Sequence, residues 1–121
     1  MSTIIVDPAQ DEALVGAAEF ALRRLRISGK LMGFRYLTYA VARAVNDPSL
    51  TSLITKVLYA DIARAYRTTS SRAERNIRHA IRRSWEIGSR ELLEEMAGCA
   101  LLKCPSNAEF IDIVAYYIRR Q

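Results

Sequence analysis

Residues 61–85, DIARAYRTTSSRAERNIRHAIRRSW, restrict the fold more than any other stretch of this chain. They hold two apolar patterns of helical period. Ile62, Ala63 and Tyr66 make the first; Ala73, Ile77, Ala80, Ile81 and Ser84/Trp85 make the second. Only the polar run Arg67-Thr68-Thr69-Ser70-Ser71 separates them. Two helices joined by so short a turn predict a helix-turn-helix, whose second helix can lie in a DNA major groove. The charge is concentrated in the same place. From Ile62 to Trp85 there are seven arginines and one acid, Glu74, while the whole chain carries a net +5. The remainder is thus close to neutral, and the basicity belongs to this motif.

The rest of the chain predicts an all-α domain. A length of 121 residues suits one domain, 1–121, with enough core to need no disulfide or metal. Half the residues are apolar and only eight are Gly or Pro, so a disordered chain is excluded. No apolar run approaches the roughly 20 residues a membrane span requires. The start, MSTIIVDPAQ, lacks the basic segment of a signal peptide, which makes the cytoplasm the expected location. Cys99 and Cys104, with the distant His79, do not have zinc-site spacing and read as buried or half-buried reduced thiols.

About six helices follow from caps and periodicity. Asp7-Pro8-Ala9-Gln10 reads as a helix start, continued by Leu14, Ala17/Ala18, Ala21/Leu22 and Leu25 and ended by Ser28-Gly29. A second helix is expected from Lys30 to Val45, stopped by Asn46-Asp47-Pro48. A short segment capped by Ser49 carries Leu50, Leu53, Ile54 and Val57/Leu58. No strong stop near Tyr59–Asp61 says whether it bends into the next helix or breaks before it. The recognition helix covers about 70–87; Thr69 could cap it, and so could Ser71 through a Ser71-Arg72-Ala73-Glu74 capping box. A helix from Arg90 to Ala97 closes at Gly98. Residues 99–105 form a connector, and Ser106-Asn107-Ala108-Glu109 is a capping box for the last helix.

At 100° per residue, a face centred on Ile77 buries Ala73, Ile81 and Ser84. Arg72, Arg75, His79 and Arg82 fall opposite, with Ser71, Glu74 and Arg78 along one flank. An arginine can bridge guanine O6 and N7, and a glutamate can accept from the cytosine amino group. The remaining cations, Arg78, His79 and Arg82, suit phosphates, which fix register without reading sequence. Arg67 and Thr69 in the turn join them as backbone-contact candidates. Against this stands a plain solvated face, on which Glu74–Arg78 is only a surface pair contributing under about 1 kcal/mol. The scarcity of acids at i,i+4 from these arginines weighs against that alternative. One histidine, no paired carboxylates, no glycine-rich loop and no metal spacing leave no basis for an enzyme or a cofactor.

Three segments, ITKVLYADIARAY (54–66), TTSSRAERNIRHAI (68–81) and PSNAEFI (105–111), closely resemble the DNA-binding effector domain of the sporulation response regulator family, stage-zero sporulation protein A. A weaker likeness covers 27–37, and the first 25 residues carry no family motif. The resemblance implies a six-helix all-α domain with a central helix-turn-helix that binds a TGTCGAA-like box and activates or represses transcription. It implies base contacts at Ser71, Arg72, Glu74 and Arg75, and backbone contacts at Arg78 and His79. It also implies head-to-tail homodimers on tandem boxes through the last helix, with Phe110, Tyr116, Tyr117 and Arg120 as self-association candidates. The RNA polymerase sigma subunit is an implied partner. Family members carry a phosphorylated receiver, and none of these residues reads as one, so phosphorylation control is not expected of this stretch. Ala73 and Asn76 stand where the family has small or branched apolar residues, so a similar rather than identical preference is expected. A protein-interaction adaptor built on the same fold is the competing expectation.

Overall fold

The computed structural model describes residues 11–53 and 57–121, the side chains of 51–53 aside. Among the described residues it is helical with no strand: α1 (Glu12–Arg24), α2 (Met32–Asn46), a 3-10 turn (Pro48–Leu53), α3 (Tyr59–Ala65), α4 (Ser70–Ser84), a π-helical turn (Trp85–Ser89), α5 (Arg90–Ala97) and α6 (Asn107–Arg119). The all-α expectation holds, with α3 and α4 forming the helix-turn-helix.

The hub of the core is α2, which packs on α1, α4 and α6. Nine of its residues are buried, including Gly33, Phe34, Leu37, Ala40, Val41 and Ala44. Its small residues let neighbouring helices approach closely. At Gly33 a Cβ would lie 2.4 Å from the Asn76 carbonyl oxygen and 2.9 Å from the Ala80 Cβ, so only hydrogen fits between α2 and α4 there. Leu22, Leu25, Leu37, Ile62, Ile77, Ile81, Phe110 and Val114 complete one continuous cluster.

The boundaries follow the expected ones only in part. The described start of α1 is capped by Asp11, whose side chain accepts from the Leu14 N–H at 3.0 Å; the Asp7 start lies outside the described residues. The helix also stops before Ser28-Gly29. Arg26 takes a left-handed conformation (φ 64°), and the Ile27 and Arg26 amides donate back to the Leu22 and Arg23 carbonyls. This is a Schellman ending with Arg in the position Gly usually fills. A guanidinium donates from there to the Ile87 carbonyl at 3.0 Å, which a glycine could not do. The last helix begins as expected, with both bonds of the Ser106/Glu109 capping box formed. The Ser106 amide holds the Glu109 carboxyl below its ordinary pKa. Cys104 is half-buried, but Cys99 is exposed, against the expectation of two sheltered thiols.

Candidate nucleic-acid interface

The turn between α3 and α4 is built by backbone geometry. Tyr66 caps α3, Arg67 adopts φ 52°, and the Thr68 amide donates to the Ala63 carbonyl at 2.9 Å. Arg67 thus holds the left-handed position that reverses the chain, an unfavourable one for any residue with a Cβ. Thr69 then starts α4. Its hydroxyl oxygen accepts from the Arg72 amide at 3.1 Å, so Thr69 is the cap and the Ser71-to-Glu74 box does not form.

From that start, α4 turns Ala73, Ile77, Ala80, Ile81 and Ser84 into the core. The Ser84 hydroxyl hydrogen-bonds the Leu25 carbonyl at 2.6 Å, fastening the end of α4 to the loop after α1. The opposite side is exposed and carries Ser71, Arg72, Glu74, Arg75, His79 and Arg82. A shallow groove along it is lined by Ser71, Glu74, Arg75, Arg78, His79 and Arg82. Among the described residues, no protein group hydrogen-bonds or ion-pairs with the side chains of Arg67, Arg72, Arg75, His79 or Arg82. A helix face of unpaired guanidiniums is a poor stabiliser of its own fold and a good complement to a polyanion.

Two of the seven arginines do not belong to that free charge. Arg64 binds Asp61 at 2.6 Å, and Arg43 of α2 binds the other oxygen of the same carboxylate at 2.7 Å. Asp61 therefore anchors α3 to α2. Arg78 is half-buried and turns away from Glu74, so the i,i+4 pair does not form. Its Nη1 donates to the Pro105 carbonyl (2.8 Å) and the Asn107 Oδ1 (3.3 Å), and its Nη2 to the Cys104 Sγ (3.1 Å).

Residues 19–118 match the family described as "Sporulation initiation factor Spo0A C terminal". The chain belongs to that family. The Spo0A C-terminal family is the DNA-binding domain of a sporulation regulator, so the exposed face of α4 lies in a domain whose work is DNA binding and transcription regulation. The match takes in α2 through α5 and nearly all of α6, and with them every residue named for the interface. No described helix is long and apolar enough to cross a membrane.

Of the self-association candidates on α6, the structure removes one from the surface. Phe110 is fully buried in the core, as its place on the apolar face of the last helix predicts, and so is withdrawn as a self-association candidate. Tyr116 is 40 % exposed, with Arg120 stacked over its ring at 5.3 Å. The Tyr117 hydroxyl accepts from Arg24 at 2.9 Å and so ties α6 to α1.

Sequence reasoning passed over Asn107. It is the first residue of α6 and is buried; its Nδ2 donates to the Tyr59 hydroxyl (2.7 Å) and to the Glu74 carbonyl (3.3 Å). Burial pushes the Tyr59 hydroxyl above its ordinary pKa, and the Asn107 bond works against that shift. The sequence signal was an amide at the first helical position of a capping box, where an exposed residue is the ordinary choice. Gly33 was missed in the same way: a glycine inside a helical pattern marks close approach of another backbone.

Proposed function

We propose that this domain is a sequence-specific transcription regulator of sporulation initiation or related genes that inserts α4 into the major groove of a TGTCGAA-like box. The observation that carries the reading is the unpaired, outward set Ser71, Arg72, Glu74 and Arg75 on the N-terminal half of α4, mixing donors with an acceptor as base reading requires. His79 and Arg82 on the same face, and Arg67 and Thr69 at the turn, contact the phosphates. Tyr116, Tyr117 and Arg120 supply the surface that meets a second copy on tandem boxes.

The test is binding to a TGTCGAA duplex and to a scrambled duplex across a salt series. Affinity for both falls with salt, because phosphate contacts release counterions, but the box is preferred throughout. Equal affinity would sink the reading. Arg75→Ala is expected to lose about 1–3 kcal/mol on the box and little on the scrambled duplex. Equal weakening of both would make Arg75 a phosphate contact.

Arg67→Gly separates stability from binding. Relief of the left-handed strain, less the extra entropy of glycine in the unfolded chain, leaves a gain of about 0.5–1 kcal/mol in a denaturant melt. Loss of the cation lowers the salt slope of DNA binding by about one. A variant both less stable and unchanged in slope would refute both roles for Arg67.

A further inference from the structure

Arg78 is the one basic residue of the reading helix whose guanidinium is committed to the protein itself on three sides. Its acceptors are the carbonyl of the buried Pro105, the side-chain oxygen of the buried Asn107 and the half-buried Cys104 sulfur. Asn107 in turn grips the Glu74 carbonyl, one helical turn before Arg78, and the Tyr59 hydroxyl of α3. Together these bonds hold one turn of α4, residues 74–78, against the start of α6 and against α3. Arg75, a proposed base reader, lies inside that turn. The rotation of α4 about its axis decides where Glu74 and Arg75 point, and apolar packing by Ile77 and Ile81 is not directional enough to fix it. Hydrogen bonds are directional, and a planar fork matched to several acceptors defines one orientation.

We infer that Arg78 is a positioning residue for base reading, acting through Asn107 and the 104–105 connector, and not a phosphate clamp. The inference rests on the DNA-reading role proposed above. It also makes the start of α6 part of the specificity apparatus, although no residue there touches a base.

The experiment measures dissociation constants for the TGTCGAA and scrambled duplexes across a salt series. The proteins are wild type, Arg78→Lys, Arg78→Gln, Asn107→Ala and the double variant Arg78→Gln/Asn107→Ala. The ratio of the two constants is taken within each sample, so any unfolded fraction cancels and loss of stability alone leaves it unmoved. Arg78→Lys keeps the charge but not the fork, and it is expected to lower the ratio about tenfold, the scale of network substitutions. Arg78→Gln lowers the ratio similarly and leaves the salt slope at the wild-type value, and the double variant is no worse than its worse parent. A phosphate clamp gives the reverse: Arg78→Lys retains the ratio, and Arg78→Gln lowers the slope by about one at constant ratio. That pattern overturns the inference while leaving the DNA-reading role intact. A wild-type protein with no preference for the box overturns both.

Discussion

Gly33→Ala unfolds this domain at a markedly lower temperature than wild type, although alanine is the better helix former. The added methyl would sit 2.4 Å from a backbone carbonyl oxygen of α4 and 2.9 Å from the Ala80 Cβ. A flexible side chain could swing aside; a helix carbonyl cannot move without moving α4. Overpacking costs about 1–3 kcal/mol, and against backbone the upper end applies, outweighing the up to about 1 kcal/mol that alanine gains in propensity. A net loss near 2 kcal/mol corresponds to a fall of roughly 5–15 °C in Tm for a domain of this size. Gly16→Ala is the matched control. It is exposed within α1, nothing lies within 4 Å of its Cβ position, and it should gain about 0.5–1 kcal/mol. Equal melting temperatures for the two variants would mean that α2 and α4 are not in close backbone contact. Because Asn76 lies beside Arg75, the displacement in Gly33→Ala should also weaken discrimination between box and scrambled duplexes.

Phe110→Ala carries the second large effect, and it separates a core role from an interface role. Its ring is fully buried among the helices that meet at the start of α6. Truncating a core phenylalanine removes about 3–5 kcal/mol, a large part of the 5–15 kcal/mol that holds an ordinary domain folded. The loss should appear in denaturant melts and be the same at low and high protein concentration. A self-association residue would behave otherwise, leaving the monomer stable and reducing only cooperative binding to tandem boxes. Tyr116→Ala is expected to show that second pattern. A stable Phe110→Ala protein that had lost tandem binding would return Phe110 to the surface.

Most of the helices were legible because their signals are local. Ser106 and Glu109 lie three residues apart and satisfy each other's amides whatever else the chain does. Gly98 closes α5 in the left-handed conformation that glycine adopts without strain. The buried stripe of α4 follows from the helical period alone. What local signals got wrong or left open were a stop and a cap decided elsewhere in the fold. Arg26 ends α1 in a conformation that propensity disfavours, in a place where its guanidinium reaches Ile87, 61 residues away. Thr69 won the capping role over Ser71, and the adjoining left-handed Arg67 fixes where α4 begins.

The candidate interface divides in the same way. The outward set Ser71, Arg72, Glu74 and Arg75 was readable, since exposure on an amphipathic helix depends only on angle. The seven arginines looked alike in sequence, and they are not alike in space. Asp61 takes Arg64, and the connector before α6 takes Arg78. Arg64's partner is a neighbour one turn away on its own helix, whereas Arg78's was set by which segments the core brings together.

By itself, then, the sequence determined an all-α chain with a strongly basic helix-turn-helix and the face that helix offers, because period, caps and charge are properties of neighbouring residues. The tertiary structure alone decided that α2 is the hub and that Gly33 must stay bare. It also decided that Arg78 and Asn107 join α4 to α6. Each of those depends on a surface or hydrogen-bond partner tens of residues distant, and helical periodicity contains no information about such partners.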